Sequence, residues 1–116
     1  MRDDVTTVAE LTHLVREFVA ERHWEPFHDP KNLAMSIAIE AAELMEQFQW
    51  LRSDQLHDAT GNPDQLAQIR DEVADITAYL LSFAACLGLD LSTALEEKMR
   101  KNALKYPAQT FRGRFK

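Results

Sequence analysis

Apolar residues return at helical spacing through nearly the whole chain. Val8, Leu11, Leu14, Val15, Phe18 and Val19 share one face and predict a first helix over about Thr7 to Arg22. Thr7 and Glu10 mark its start with the T-x-x-E of a capping box. Leu33, Ile37, Leu44, Met45 and Phe48 predict a second helix, running from Asp29-Pro30 to about Trp50. An N-cap followed by proline at the first helical position is a strong start signal. Asn62-Pro63 repeats it, and Leu66, Ile69, Val73, Ile76, Leu80 and Phe83 carry a third helix to a stop at Gly88. Asp90 or Ser92 caps a fourth, which Pro107 ends after Tyr106. No strand-type alternation occurs. The pattern is all-α: one four-helix domain over residues 1–116, with Leu51 to Asn62 as its longest loop and 107–116 as a C-terminal arm.

Composition narrows the class. Hydrophobic residues make up 46% of 116, enough for one core. The apolar sides of the second and third helices exceed what a single four-helix subunit can cover, which predicts a homo-oligomer. Cys86 is the only cysteine, so no internal disulfide forms. Met1 to Glu10 has no signal-like apolar run, and no stretch of about 18 uncharged apolar residues could span a membrane. The expectation is a cytoplasmic protein without a membrane partner. The net charge of −6 is uneven: Lys98 to Lys116 holds seven basic residues and no acidic one. That is unlike a nucleic-acid binder, which spreads basic groups over a face. It suits a small anion held between a cation-loaded acidic site and a basic arm, though cations at a helix C-terminus also simply suit its dipole.

The informative carboxylates lie on the middle helices. Glu40 and Glu43 are three apart and share a face, with Ser36 and Gln47 extending the stripe by a turn at each end. The run Ser36 to Leu44 contains no other charge, which predicts a helix buried on most of its circumference. Glu72 and Asp75 repeat the spacing on the third helix. Packed antiparallel, the helices face the two pairs at each other. Four carboxylates in apolar company need a counter-charge. An all-oxygen donor set without histidine favours Mg²⁺, or Mn²⁺ in its place, over zinc or a di-iron pair. Asp71 and Glu46 read as surface carboxylates or outer partners.

The chain lacks a Walker A loop, G-x-G-x-x-G, H-E-x-x-H and G-x-S-x-G. Phosphates bound at the metal would therefore be held by side chains. Lys98, Asn102 and Tyr106 lie at i, i+4 and i+8 of the fourth helix. Trp24, His28 and Trp50 flank the ends of the second helix and could stack a base. Taken alone, each tryptophan is explained more simply by core or interface packing.

The pattern Glu40-x-x-Glu43, 28 intervening residues, then Glu72-x-x-Asp75 resembles the signature of the all-α nucleoside triphosphate pyrophosphatases, which include MazG and the dimeric dUTPases. Glu21 to Leu33, Glu43 to Trp50, and Lys98-Met with Asn102 and Tyr106-Pro107 resemble the dCTP pyrophosphatase branch. The likeness runs from about Val8 to Gly113. It implies Mg²⁺-dependent hydrolysis of a (deoxy)nucleoside triphosphate, dCTP or a modified dCTP, to the monophosphate and pyrophosphate, as nucleotide-pool cleansing. It implies metal ligands at Glu40, Glu43, Glu72 and Asp75 and phosphate contacts at Lys98, Asn102 and Tyr106. The mechanism we expect of these residues has Glu40 orienting or deprotonating the water, and Lys98 and Asn102 acting on the leaving group. The resemblance also implies a base pocket at Trp24, His28, Trp50 and Tyr79, and a homodimer or homotetramer with pockets between subunits. Where the vertebrate enzymes carry a pocket histidine this chain has Val15, so dATP and dUTP stay open beside dCTP. The alternatives are a dUTPase-like preference, or a non-catalytic helical module that binds nucleotide or a basic protein partner.

Overall fold

Capping chemistry sets where each helix begins in the computed structural model, which describes residues 1–115. At the start of α1 (Val8–Glu21) the Glu10 N–H donates to Thr7 Oγ1 at 3.1 Å, and the Thr7 N–H donates back to the Glu10 carboxylate at 3.0 Å. This is the expected capping box. The helix ends in a Schellman turn. Trp24 N–H reaches Val19 C=O at 3.1 Å, and His23 N–H reaches Ala20 C=O at 3.0 Å. The turn requires a left-handed residue, and His23 supplies it at φ 54°. The same turn swings the Trp24 ring edge-on to Phe18, centroids 5.8 Å apart.

A 3-10 turn, Glu25–Phe27, leads to α2 (Pro30–Glu46), where the Asp29 carboxylate accepts from Asn32 N–H at 2.8 Å. α2 stops at Glu46 rather than near Trp50, and the chain continues in turns from Gln47 to Trp50. The segment read as a loop holds a 3-10 turn, Ser53–Gln55, and a short α3 (Leu56–Thr60) whose Ala59 is fully buried. Asn62 then caps α4 (Pro63–Leu87) by accepting from Asp64 and Gln65 N–H. Gly88 ends α4 in the left-handed conformation, φ 65°. The Asp90 carboxylate, not Ser92, caps α5 (Leu91–Lys105), accepting from Thr93 N–H at 3.0 Å. The arm contains one further turn of helix, α6 (Ala108–Phe111). Lys116 lies outside the described residues.

α4 is the spine. α2 packs along it most extensively, and α1 and α3 pack on it as well. α2 and α4 run antiparallel: His28, just before α2, meets Tyr79 and Cys86, whereas Gln47 at its far end meets Gln68. The buried centre is small, comprising Val19, Leu33, Ala59, Leu81 and Ala84.

The remaining apolar surface is uncovered. The chain exposes 9411 Å², where a compact monomer of its mass exposes about 6,450 Å². Its radius of gyration is 17.3 Å, against about 13 Å for a compact domain of this length. Leu66, Val73, Leu80 and Leu87, each seven residues from the last, stay 45–49% exposed along α4. Met35 and Ile39 on α2 are more than half exposed. The run Ser36 to Leu44 is therefore not buried on most of its circumference within one chain, because α4 covers only one side of it. α5 bends away from α4 by 98°, makes only marginal contact with any other helix, and buries none of its residues. Among the described residues no single helix is long and apolar enough to cross a membrane.

Candidate metal centre

The antiparallel pairing of α2 and α4 brings the two acidic stripes together. One carboxylate oxygen each from Glu40, Glu43 and Glu72 lies within 4.8 Å of the others. Glu40 and Glu72 are half-buried. The Oε2 atom of each is sealed from solvent and receives no hydrogen bond. A sealed, unpartnered anionic oxygen is costly, so the site demands either a cation or a proton shared within the cluster.

The electrostatics give the same account. Burial pushes the Glu40 carboxyl from 4.5 up to about 7, helped by its hydrogen bonding with Glu43 and Glu72 and by the charges of Glu43 and Asp75. Glu72 is raised first by burial and then by Glu43, while its hydrogen bond with Glu40 pulls the other way. The metal-free cluster thus retains a proton where isolated glutamates would be ionised. Asp75 is exposed and stands outside the three-oxygen group, although its charge reaches both neighbours. The residues fit a hard divalent cation: three carboxylate oxygens converge, Glu40 and Glu72 each keep an unpartnered oxygen, and among the described residues no nitrogen or sulfur joins them.

The remaining candidate residues are dispersed. His28 stands near Tyr79, ring centroids 6.3 Å apart, and its Nδ1 is buried without a partner. Cys86 Sγ donates to its carbonyl at 3.3 Å. Trp24 rests against Phe18, whereas Trp50 is 86% exposed and meets no other ring among the described residues. Among the described residues no aromatic sandwich for a base forms within one chain. Lys98 and Asn102 sit on α5 and Tyr106 is its C-cap residue, edge-on to Phe111 at 5.2 Å. Because α5 leaves α4 at 98°, its cations do not pack over the carboxylates of their own chain. A cavity of about 550 Å³ between α1 and α4 is lined by His13, Arg16, Val19, His28, Ser82 and Cys86, and by none of the four acidic candidates.

Two residues were not among the sequence candidates. Gln65 Nε2 donates to the Gln47 carbonyl at 3.0 Å, and Gln47 Nε2 donates to Gln68 Oε1 at 3.4 Å. Gln68 is four residues before Glu72, so the spacing that identified Gln47 on α2 would have identified it on α4.

Residues 35–114 match the MazG-like family. Over 107 residues, 92% of its length, the chain is 37% identical to dCTP pyrophosphatase 1 of Bos taurus. Over 106 residues it is 37% identical to dCTP pyrophosphatase 1 of Homo sapiens. It spans 63% and 62% of the lengths of those curated relatives. A solved pyrophosphatase structure from Archaeoglobus fulgidus is 38% identical and superposes with a TM-score of 0.82, over 92% of this chain and 98% of that one.

Proposed function

The chain belongs to the MazG-like family, and from that premise we propose that it hydrolyses a deoxynucleoside triphosphate, dCTP or a modified dCTP, to the monophosphate and pyrophosphate in a Mg²⁺-dependent reaction. The convergence of Glu40, Glu43 and Glu72, with two sealed oxygens left unpartnered, carries this reading. The relatives' names support the pyrophosphatase activity, and dCTP as its substrate.

Glu40, Glu43 and Glu72 would hold the ion, with Asp75 beside them. A bound Mg²⁺ supplies charge neutralisation for the phosphates and acidifies water in its neighbourhood. Hydrolysis forms an oxygen–phosphorus bond from water to the α-phosphorus and breaks the bridge to the β-phosphate, with pyrophosphate as leaving group. We assign Glu40 to orient or deprotonate the attacking water. Lys98 and Asn102 bind the departing pyrophosphate, and Tyr106 flanks it on the same face of α5. Trp24, His28, Trp50 and Tyr79 shape the pocket for the base.

These groups complete one site only across copies of the chain. Each copy exposes about 3,000 Å² more than a compact monomer would, more than a standard contact patch of about 800 Å² per partner needs. We assign the stripe Leu66, Val73, Leu80 and Leu87 to the seam of a homodimer or homotetramer, with α5 extending its cations onto a neighbouring copy. Pyrophosphate release from each canonical dNTP and NTP, with Mg²⁺ and with EDTA, tests the proposal. Metal-dependent release greatest from dCTP supports it. Release from dUTP or dATP instead overturns the base assignment, and no release from any triphosphate overturns the activity.

A further inference from the structure

Gln47, Gln65 and Gln68 join the end of α2 to the start of α4 immediately beside the carboxylates. Gln47 lies four residues after Glu43, and Gln68 four residues before Glu72, so both amides sit one turn from the cluster on the same stripe. Their side chains meet at 3.4 Å across the helix pair. Gln65, three residues before Gln68 on the same face of α4, closes the junction by donating at 3.0 Å to the Gln47 carbonyl. That carbonyl belongs to the C-cap residue of α2, whose own helix offers it no donor.

The chemistry of the junction matches its position. One carboxylate oxygen each from Glu40, Glu43 and Glu72 crowds within 4.8 Å of the others, and repulsion among these acidic groups acts to part α2 from α4 once they ionise. A salt bridge or a further carboxylate in the next turn would alter that charge balance. Glutamine is isosteric with glutamate, carries no charge, and offers both a donor and an acceptor, so a pair of them can bridge two helices without adding to the field. We infer that Gln47, Gln65 and Gln68 form a neutral clasp that positions Glu43 and Glu72 for a single cation before the cation arrives. They are positioning residues and touch neither the substrate nor the metal.

The inference rests on the metal-dependent reading above, and its signature lies in metal uptake. A clasp that keeps the site closed raises the fraction of protein competent to bind, so its loss raises the apparent dissociation constant by that fraction. Loss of one interhelical hydrogen bond corresponds to about a three- to tenfold change. Mn²⁺ alone is titrated into the full chain and its free concentration is read by electron paramagnetic resonance. The proteins are wild type, Gln68→Met and Gln65→Met, each checked for helical circular dichroism; methionine keeps the length of the side chain and removes the amide. The expected result is a half-saturating Mn²⁺ concentration three- to tenfold higher in both variants, with turnover at saturating metal close to wild type. An unshifted midpoint accompanied by a lower melting temperature in both variants makes the junction merely structural and overturns the inference alone. A wild-type chain that takes up no Mn²⁺ overturns the metal-dependent reading and the clasp with it.

Discussion

Replacing Leu80 by glutamate places a charge at the middle of the exposed α4 stripe and tests whether that stripe is a subunit seam. Leu80 retains 45% of its exposure within one chain. Full burial of a leucine contributes about 1.5–3 kcal/mol, so completing this burial in a seam contributes about 1 kcal/mol per copy. The introduced carboxylate adds the cost of taking an ion out of water, which remains several kcal/mol after relaxation. A twofold seam carries each change twice, giving at least about 6 kcal/mol and an association constant weaker by about 10⁴. Size-exclusion chromatography with light scattering at micromolar concentration reads the assembly, and pyrophosphate release reads the activity. The wild type is expected to elute as a dimer or larger and Leu80→Glu as a monomer that takes up metal but has lost most of its turnover. A monomeric wild type, or a Leu80→Glu chain that stays assembled and active, refutes the reasoning.

Other outcomes follow from the cluster and the caps. Glu43→Ala and Asp75→Ala are each expected to abolish pyrophosphate release while leaving the helical circular dichroism unchanged; wild-type activity in either removes that residue from the site. Glu40 binds its proton more tightly folded, at about 7, than unfolded, near 4.5. The folded state therefore holds the extra proton between those values, and the metal-free protein loses stability as pH rises through that window. Melting temperature in EDTA should fall from pH 5 to pH 8, and saturating Mg²⁺ should flatten the fall; a rise in EDTA contradicts the assigned shift. His23→Gly relieves a left-handed non-glycine residue at the end of α1 and is expected to raise stability by up to about 1 kcal/mol in urea titration. A loss there would show that the His23 side chain contributes more than its backbone costs.

What the sequence made legible was whatever is decided within one or two helical turns. Thr7 with Glu10, Asp29-Pro30, Asn62-Pro63 and Gly88 are local devices, and each marks a boundary in the structure. The two acidic pairs were legible for the same reason, since spacing on a helix fixes which side chains share a face. The end of α2 was not: Gln47 to Trp50 contains no proline or glycine, and the carbonyl that closes the helix is satisfied from α4 by Gln65. α3 escaped because five residues carry too little periodicity to register. The aromatic platform does not form among the described residues of one chain. Trp24 and Trp50 flank α2 in sequence, yet Trp24 is turned onto Phe18 by the Schellman bonds at the end of α1, a consequence of backbone geometry rather than of hydrophobic pattern.

The bend of 98° at Gly88 separates what the chain owns from what it lends. α5 extends about 22 Å from that corner and makes only marginal contact with the other helices. Under the proposed assembly, dilution alone silences the enzyme, because catalysis then depends on encounter between copies as well as on substrate. In that assembly defects would also be complementable. A chain crippled at Glu43 and a chain crippled at Lys98 would, when mixed, rebuild one intact site between them from the undamaged half of each.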